Sequence, residues 1–273
     1  MFNLLRAECY KLQRSKNLLG CALAIVGMCV MMYGMLVVAD QILNGELANG
    51  TGGVFVGQSG DEIPFSLEEM GAMDMLQQLF AGNFMPIVMA CFTSIVVARE
   101  YGSGAIKNIV GKGYSRPAIF LARFLTIVFG MAVLLLFGLA VSLAGALVVF
   151  GKGAFYAGIW KDVGIYMGLQ FAICAAMGAV FVLVAEVGRG MAISITMSIC
   201  VTLIPTLLFG GADMIFIRSD FKPSEYWLMN LCESCPVTGF EAGYIGKTLA
   251  VAAVWTVAAL AAGVWHFKKA DIK

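Results

Sequence analysis

Several short patterns in this sequence hold residue types with known chemistries, and the surroundings of each decide its reading. Cys232 and Cys235 form a C-x-x-C pair. A zinc site needs more ligands than two thiols, and no other Cys or His falls on the same side of the span pattern derived below. The pair reads either as a disulfide or as two thiols packed on a helical turn. Gly243-Tyr244-Ile245-Gly246-Lys247-Thr248 ends like a phosphate-binding loop, but the position that should hold its first glycine is Glu241. Gly102-Ser103-Gly104 begins like a dinucleotide fingerprint without the strand and helix that would make it one. There is no H-E-x-x-H, no Ser–His pair and no paired aspartates within an apolar run. His266, the single histidine, lies at the end of the last apolar run and reads as an interfacial residue. The chain therefore presents no catalytic residue, no metal site and no cofactor site of its own.

The elements that would position any chemistry are apolar. Of 273 residues, 60% are hydrophobic and 13% charged, about half the charged share of a soluble domain. Mean hydropathy is +0.88. Too few polar residues remain to cover a water-facing surface. A formal net charge of +1 gives no global basic signal for nucleic acid. Six apolar runs have the roughly 20 residues that span a bilayer: about 18–38, 79–98, 118–150, 163–185, 191–209 and 248–267. They do not alternate as barrel strands would, so they are read as helices. Val37-Val38-Ala39 loosely resembles a signal-peptide cleavage site, but the run before it exceeds the usual length of a signal core. The fold class is an all-α polytopic membrane protein, a single transmembrane domain over residues 1–273 with outer loops 39–78 and 210–247.

Charge placement orients these spans. Arg6, Lys11, Arg14, Lys16, Arg99, Lys107, Lys112, Arg116, Arg123, Arg189, Lys268, Lys269 and Lys273 share one side, 13 of the 18 basic residues. The other side holds Lys152, Lys161, Arg218, Lys222 and Lys247. Cytoplasmic flanks collect Lys and Arg, which places both termini inside. The 39–78 loop carries seven acidic residues and no basic one. Cys21, Cys29, Cys91, Cys174 and Cys200 lie within spans as small apolar residues, and Cys9 is expected to be reduced. No acid falls mid-membrane: Asp162 and Glu186 sit at span ends, Arg123 near the inner surface and Asp213 just past the fifth span. A transporter powered by protons would normally need such an acid.

Two small-residue stripes read as packing faces within or between subunits: Gly20, Gly27 and Gly34 in the first span, and Gly164, Gly168, Ala172 and Ala176 in the fourth. Pro86 and Pro205 are candidate kinks. Residues 2–16 can form an amphipathic interface helix, with Phe2, Leu5, Cys9 and Leu12 recurring at helical spacing and Arg6, Lys11 and Arg14 polar; a plain basic anchor accounts for them equally well. Between the second and third spans, Gly102 and Gly104 break one helix, Ala105 to Val110 can form a short one, and Gly111 and Gly113 close it. Ser115 can cap the next helix, which begins near Pro117. A short surface helix between glycine hinges suits docking to a soluble protein, although an ordered connecting turn would read the same.

This loop resembles the signature of ABC-2 type transporter permeases. The matches are Glu100, Gly104, Lys107, Asn108, Gly113, Ser115 and Arg116, with Ala105 where the family usually has Thr. The opening is similar to the family's "L-x-x-E-x-x-K-L", through Glu8, Lys11 and Leu12, and Phe267 to Lys273 is similar to its usual finish. The resemblance implies a permease that pairs with a second permease, identical or paralogous, in the bilayer and sits on two copies of an ATP-binding subunit. ATP and magnesium would belong to that partner, and the short cytoplasmic coupling helix would receive its motion. It also implies a re-entrant helical pair within 211–247, broken at Pro223 and Pro236, and a bacterial inner-membrane location. The nearest flavour is the small exporters of bacitracin or lantibiotic resistance and immunity, which implies export of an amphipathic or lipophilic compound such as an antimicrobial peptide or drug. The alternative is a non-transporting scaffold or sensor whose acidic outer loop binds a ligand.

Overall fold

The computed structural model describes residues 6, 8, 10–12, 15–48, 71–81, 84–102, 115–156, 158–215 and 222–269. Among them the regular structure is entirely helical: α1 Lys16–Ala48, α2 Ala72–Ala81, α3 Phe84–Gly102, α4 Arg116–Val149, α5 Ile159–Gly188, α6 Met191–Ile215, α7 Leu228–Glu233 and α8 Ala242–Lys269. Two 3-10 turns, Gly151–Ala154 and Pro223–Tyr226, join them. Helices α1, α3, α4, α5, α6 and α8 are long and apolar enough to cross a membrane, six in all among the described residues. The reason is the one the sequence supplies: in hydrocarbon a backbone must satisfy its own N–H and C=O groups, and a helix does so within one segment. At 34 residues, α4 is about 51 Å long, against a hydrocarbon core of about 30 Å, so it overhangs the apolar layer.

Helix α5 is the centre of the bundle. It packs on α8, α3, α6 and α4, while α1 lies outside against α4 and α3. The starts of α4 and α6 and the ends of α3, α5 and α8 gather at one end of the bundle, joined by the N-terminal segment. At the other end α2 and α7 fold over the spans. Outward faces are apolar, as Leu19, Leu23, Met31 and Met35 of α1 and Leu207 and Leu208 of α6 illustrate by their exposure.

Three boundary expectations change. The second span does not begin at Leu79: Leu79 and Phe80 belong to the separate helix α2, and the crossing helix begins at Phe84. Pro86 is the third residue of α3, where its missing N–H would have had no helical partner anyway, so it introduces no kink. Residues 222–241 form one 3-10 turn and the six-residue α7 rather than a helical pair. Trp227, Leu228, Met229 and Leu231 bury their side chains against the spans, because a segment this short cannot shield that much apolar surface alone. Pro205 does lie inside α6.

The glycines of the small-residue stripes face away from the described core, whereas the alanines of the second stripe turn toward it. A Cβ on Gly20, Gly27, Gly34, Gly164 or Gly168 would meet nothing within 4 Å; Ala172 is half-buried and Ala176 fully buried. Close approach inside the bundle relies on other glycines. Gly145 of α4 admits the Tyr33 ring of α1, whose hydroxyl donates to the Ser142 carbonyl at 2.6 Å. Gly263 of α8 seats the Phe120 ring, which has no exposed surface. Gly263→Ala should therefore lower stability by about 1–3 kcal/mol through overpacking, while Gly27→Ala should leave it unchanged; thermal unfolding of the two purified variants checks the contrast.

Candidate functional site

Charge concentrates at the end of the bundle where α3 finishes and α4 begins. Arg123 lies two turns into α4, about 10 Å from its start, and is 3% exposed. A guanidinium there cannot lose its proton and must be paired. Glu186, in the last turn of α5 and 1% exposed, binds its Nη1. Glu100, near the end of α3, holds its Nη2 at 2.6 Å. Tyr101 completes the shell: its hydroxyl donates to Glu186 and its ring lies 5.7 Å from the guanidinium carbon. Arg123 thus ties three spans together through two carboxylates.

The N-terminal segment joins this cluster. Arg6, Glu8 and Tyr10 to Leu12 are helical. Glu8 and Leu12, one turn apart, turn inward and are buried. Lys11 donates to Glu8 at 2.7 Å and lies 3.9 Å from Glu100. An amphipathic helix with its charges on the solvent face places only Leu12 of this pair correctly; Glu8 is buried because the cluster beneath offers it partners. Burial, with Glu100 second, pushes the Glu8 carboxyl up to about 7 from its ordinary 4.5. The three carboxylates face two cations, and the proton held by Glu8 near neutrality removes the excess charge.

Of the loop residues singled out in the sequence, Glu100, Ser115 and Arg116 are described, whereas Gly104, Lys107, Asn108 and Gly113 lie outside the described residues. Arg116 donates to the Lys268 carbonyl at 2.9 Å, fastening the start of α4 to the end of α8. Ser115 occupies the cap position, but its hydroxyl makes no cap hydrogen bond. Pro117, two residues on, lacks one of the N–H groups such a cap would serve.

The opposite end carries one ion pair, Lys247 with Glu225, but the contacts buried there are neutral. The Cys232 thiol donates to the Phe80 carbonyl at 3.2 Å and to Gln170 Oε1 at 3.1 Å. Gln170 returns a bond to the Cys232 carbonyl at 3.3 Å, and Gln77 of α2 reaches the Cys235 carbonyl at 3.4 Å. Cys232 and Cys235 are buried free thiols in this structure, and α7 directs Cys232 into the bundle toward Gln170. Burial pushes the Cys235 thiol up to about 11, which leaves it protonated and unreactive. No group of three or more His, Cys, Asp or Glu is arranged to hold a metal among the described residues.

Two features escaped the sequence reading. One is the pairing of Arg123 with Glu186; the signal was a lone charge inside a 33-residue apolar run, which requires a counter-ion nearby. The other is a hydroxyl ladder on α6, Ser194, Ser198, Thr202 and Thr206, spaced four apart. Ser94 of α3 bonds Ser198 at 3.0 Å and the Ser194 carbonyl at 3.2 Å. Trp227 donates to Thr206 at 3.0 Å.

These elements define a polytopic α-helical membrane protein with a buried ionic cluster at one end of its spans. Residues 4–206 match the family model described as ABC-2 family transporter protein, and the chain belongs to that family. Its members are membrane subunits that generally work with separate ATP-binding subunits. No curated protein sequence matches this chain.

Two outcomes follow from the cluster. Arg123→Ala would strand two buried carboxylates and should cost about 3–5 kcal/mol, with Arg123→Lys recovering only part, since an ammonium cannot fork to both acids; unfolding midpoints measure both. A raised Glu8 pKa means that docking of the N-terminal segment is strongest below 4.5 and weakens as pH rises through about 7, by at most about 3 kcal/mol. Amide protection over residues 6–12, corrected for intrinsic exchange, should fall between pH 5.5 and 8 in the native chain and stay constant in Glu8→Gln.

Proposed function

We propose that the chain is the permease subunit of an ATP-driven exporter, with its ionic cluster as the element that takes up motion from a separate ATPase. The observation that carries this reading is the convergence on Arg123. Glu100 comes from the span that leads into the 103–114 segment, Glu186 from the central helix, and Glu8 and Lys11 from the N-terminal segment. A push on either the loop or the N-terminal segment therefore reaches α3, α4 and α5 together. The basic residues that gather at this end support a cytoplasmic orientation, toward an ATPase at a bacterial inner membrane.

The interior supports an amphipathic or lipophilic substrate, such as an antimicrobial peptide or drug. Between the two ends the described buried polar side chains are hydroxyls and Gln170, which offer a charged substrate no counter-ion. Two permeases, identical or paralogous, would pair with two ATP-binding subunits. The outward glycine faces of α1 and α5 are available for that contact because a Cβ there meets nothing.

The test is co-purification with a candidate ATP-binding subunit, then ATP turnover in proteoliposomes against a panel of amphipathic compounds. Wild type should bind the ATPase and show compound-stimulated turnover. Arg116→Ala, which leaves the buried cluster intact, should keep folding and basal hydrolysis but lose at least about tenfold of the stimulated transport, a coupling loss of ~1.4 kcal/mol. Normal coupled transport in Arg116→Ala and Glu100→Gln together would remove the coupling role.

A further inference from the structure

Beside the ionic cluster lies a cavity of about 390 Å³ between the N-terminal segment and α3, within the range of small-molecule sites. Its wall includes the apolar Leu12 and Val96, the donors Lys11, Asn17 and Arg99, and two acids, Glu8 and Glu100. Both acids are engaged within the cluster, Glu8 by Lys11 at 2.7 Å and Glu100 by Arg123 at 2.6 Å. Arg99 is different. It is exposed, and among the described residues no carboxylate lies within ion-pair distance of it. Lys11 keeps two further N–H donors after bonding Glu8. The outer wall, at Arg99, therefore has donors to spare, while the acids lie on the side turned to Arg123 and Lys11.

The level of the cavity identifies the source of the missing anion. Asn17 is the second residue of α1 and Arg99 lies in the last turn of α3, so the cavity sits where one apolar span begins and another ends. That is the depth of the phospholipid headgroups, not of the hydrocarbon or of bulk water. A phosphate there can accept from the Arg99 fork, from Lys11 and from the Asn17 amide, while its glycerol and upper acyl carbons lie along Leu12 and Val96. Basic pockets between membrane helices recognise lipid headgroups in this way.

We propose that this cavity is a binding site for the headgroup of an anionic phospholipid, seated on Arg99, Lys11 and Asn17. The site does not depend on the permease reading, since it requires neither ATP nor a partner. A lipid held here wedges the N-terminal segment against α3, so its occupancy should set how firmly that segment docks.

The test uses the full chain purified in a mild, lipid-depleted detergent and melted with added phosphatidylglycerol, phosphatidylcholine or glycerol 3-phosphate. Phosphatidylglycerol should raise the melting temperature by roughly 5 °C at saturating lipid. Phosphatidylcholine should give less than half of that, and glycerol 3-phosphate, which lacks the acyl chains, almost none. Arg99→Ala should lose most of the shift, Arg99→Lys should restore part of it, and Lys268→Ala, a basic residue at the same end but outside the cavity, should keep all of it. An equal shift with phosphatidylcholine, an equal loss in Lys268→Ala, or a full shift in Arg99→Ala would each overturn the site. A full glycerol 3-phosphate response would assign it to a soluble phosphate compound instead. A full lipid shift in Arg99→Ala with weakened ATPase co-purification would assign Arg99 to a protein partner.

Discussion

Everything at one end of this bundle follows from burying a guanidinium. Arg123 cannot be neutral, and its helix carries it inward, so folding must bring carboxylates to it. They come from α3 and α5, helices that lipid alone would not hold together, because hydrocarbon gives apolar helices little reason to prefer each other. The pairing thereby fixes the register of three spans. It also overfills the site with acid, and the excess is met locally by Lys11 and by the proton that burial places on Glu8. The N-terminal segment is thus a working part of the cluster and not only an anchor on the membrane.

The two ends of the molecule use different physics. At the Arg123 end the bonds are ionic and respond to charge and to protonation of Glu8. At the other end α2 and α7 are held by Gln170, Gln77, Cys232 and ring contacts, including Trp227 against Trp255 at 5.2 Å and Phe209 at 5.9 Å. Neutral bonds of this kind, packed among aromatic rings, do not change with pH near neutrality. The α6 hydroxyl ladder runs between the two ends, from Ser194 beside Gly188 to Thr206 beneath Trp227. A displacement of α6 relative to α3 would have to break the Ser94 bonds on the way.

What the sequence made legible was whatever the membrane demands of composition. Six crossing helices and the clustering of basic residues at one end follow from the need for apolar runs and from the cost of moving Lys and Arg across. Single-residue geometry was less accessible. Pro86 looked like a kink because its distance from the break before Phe84 could not be seen. The glycines of α1 and α5 read as packing faces within or between subunits because periodicity gives a face but not its partner; inside the bundle the glycines that admit neighbouring rings are Gly145 and Gly263. Helical spacing alone does not reveal that Glu8 turns inward beside Glu100. Arg123 and Glu186 were each located near the correct surface, yet their pairing bridges 63 positions of chain and has no local pattern.

The placement of charge also constrains how such a bundle can change shape. Between the ends, the described spans bury hydroxyls, thiols and one amide but no Asp, Glu, Lys, Arg or His. The charge lies in the cluster, where Lys11 and Arg123 are shared among Glu8, Glu100 and Glu186. Lys11 already lies between two of them, at 2.7 Å from Glu8 and 3.9 Å from Glu100. A small shift of the N-terminal segment can exchange these partners without leaving any charge alone, which keeps the barrier low in a region where an unpaired ion would be prohibitive. A shift of the segments flanking the cluster would therefore be felt by α3, α4 and α5 together, since all three meet at Arg123.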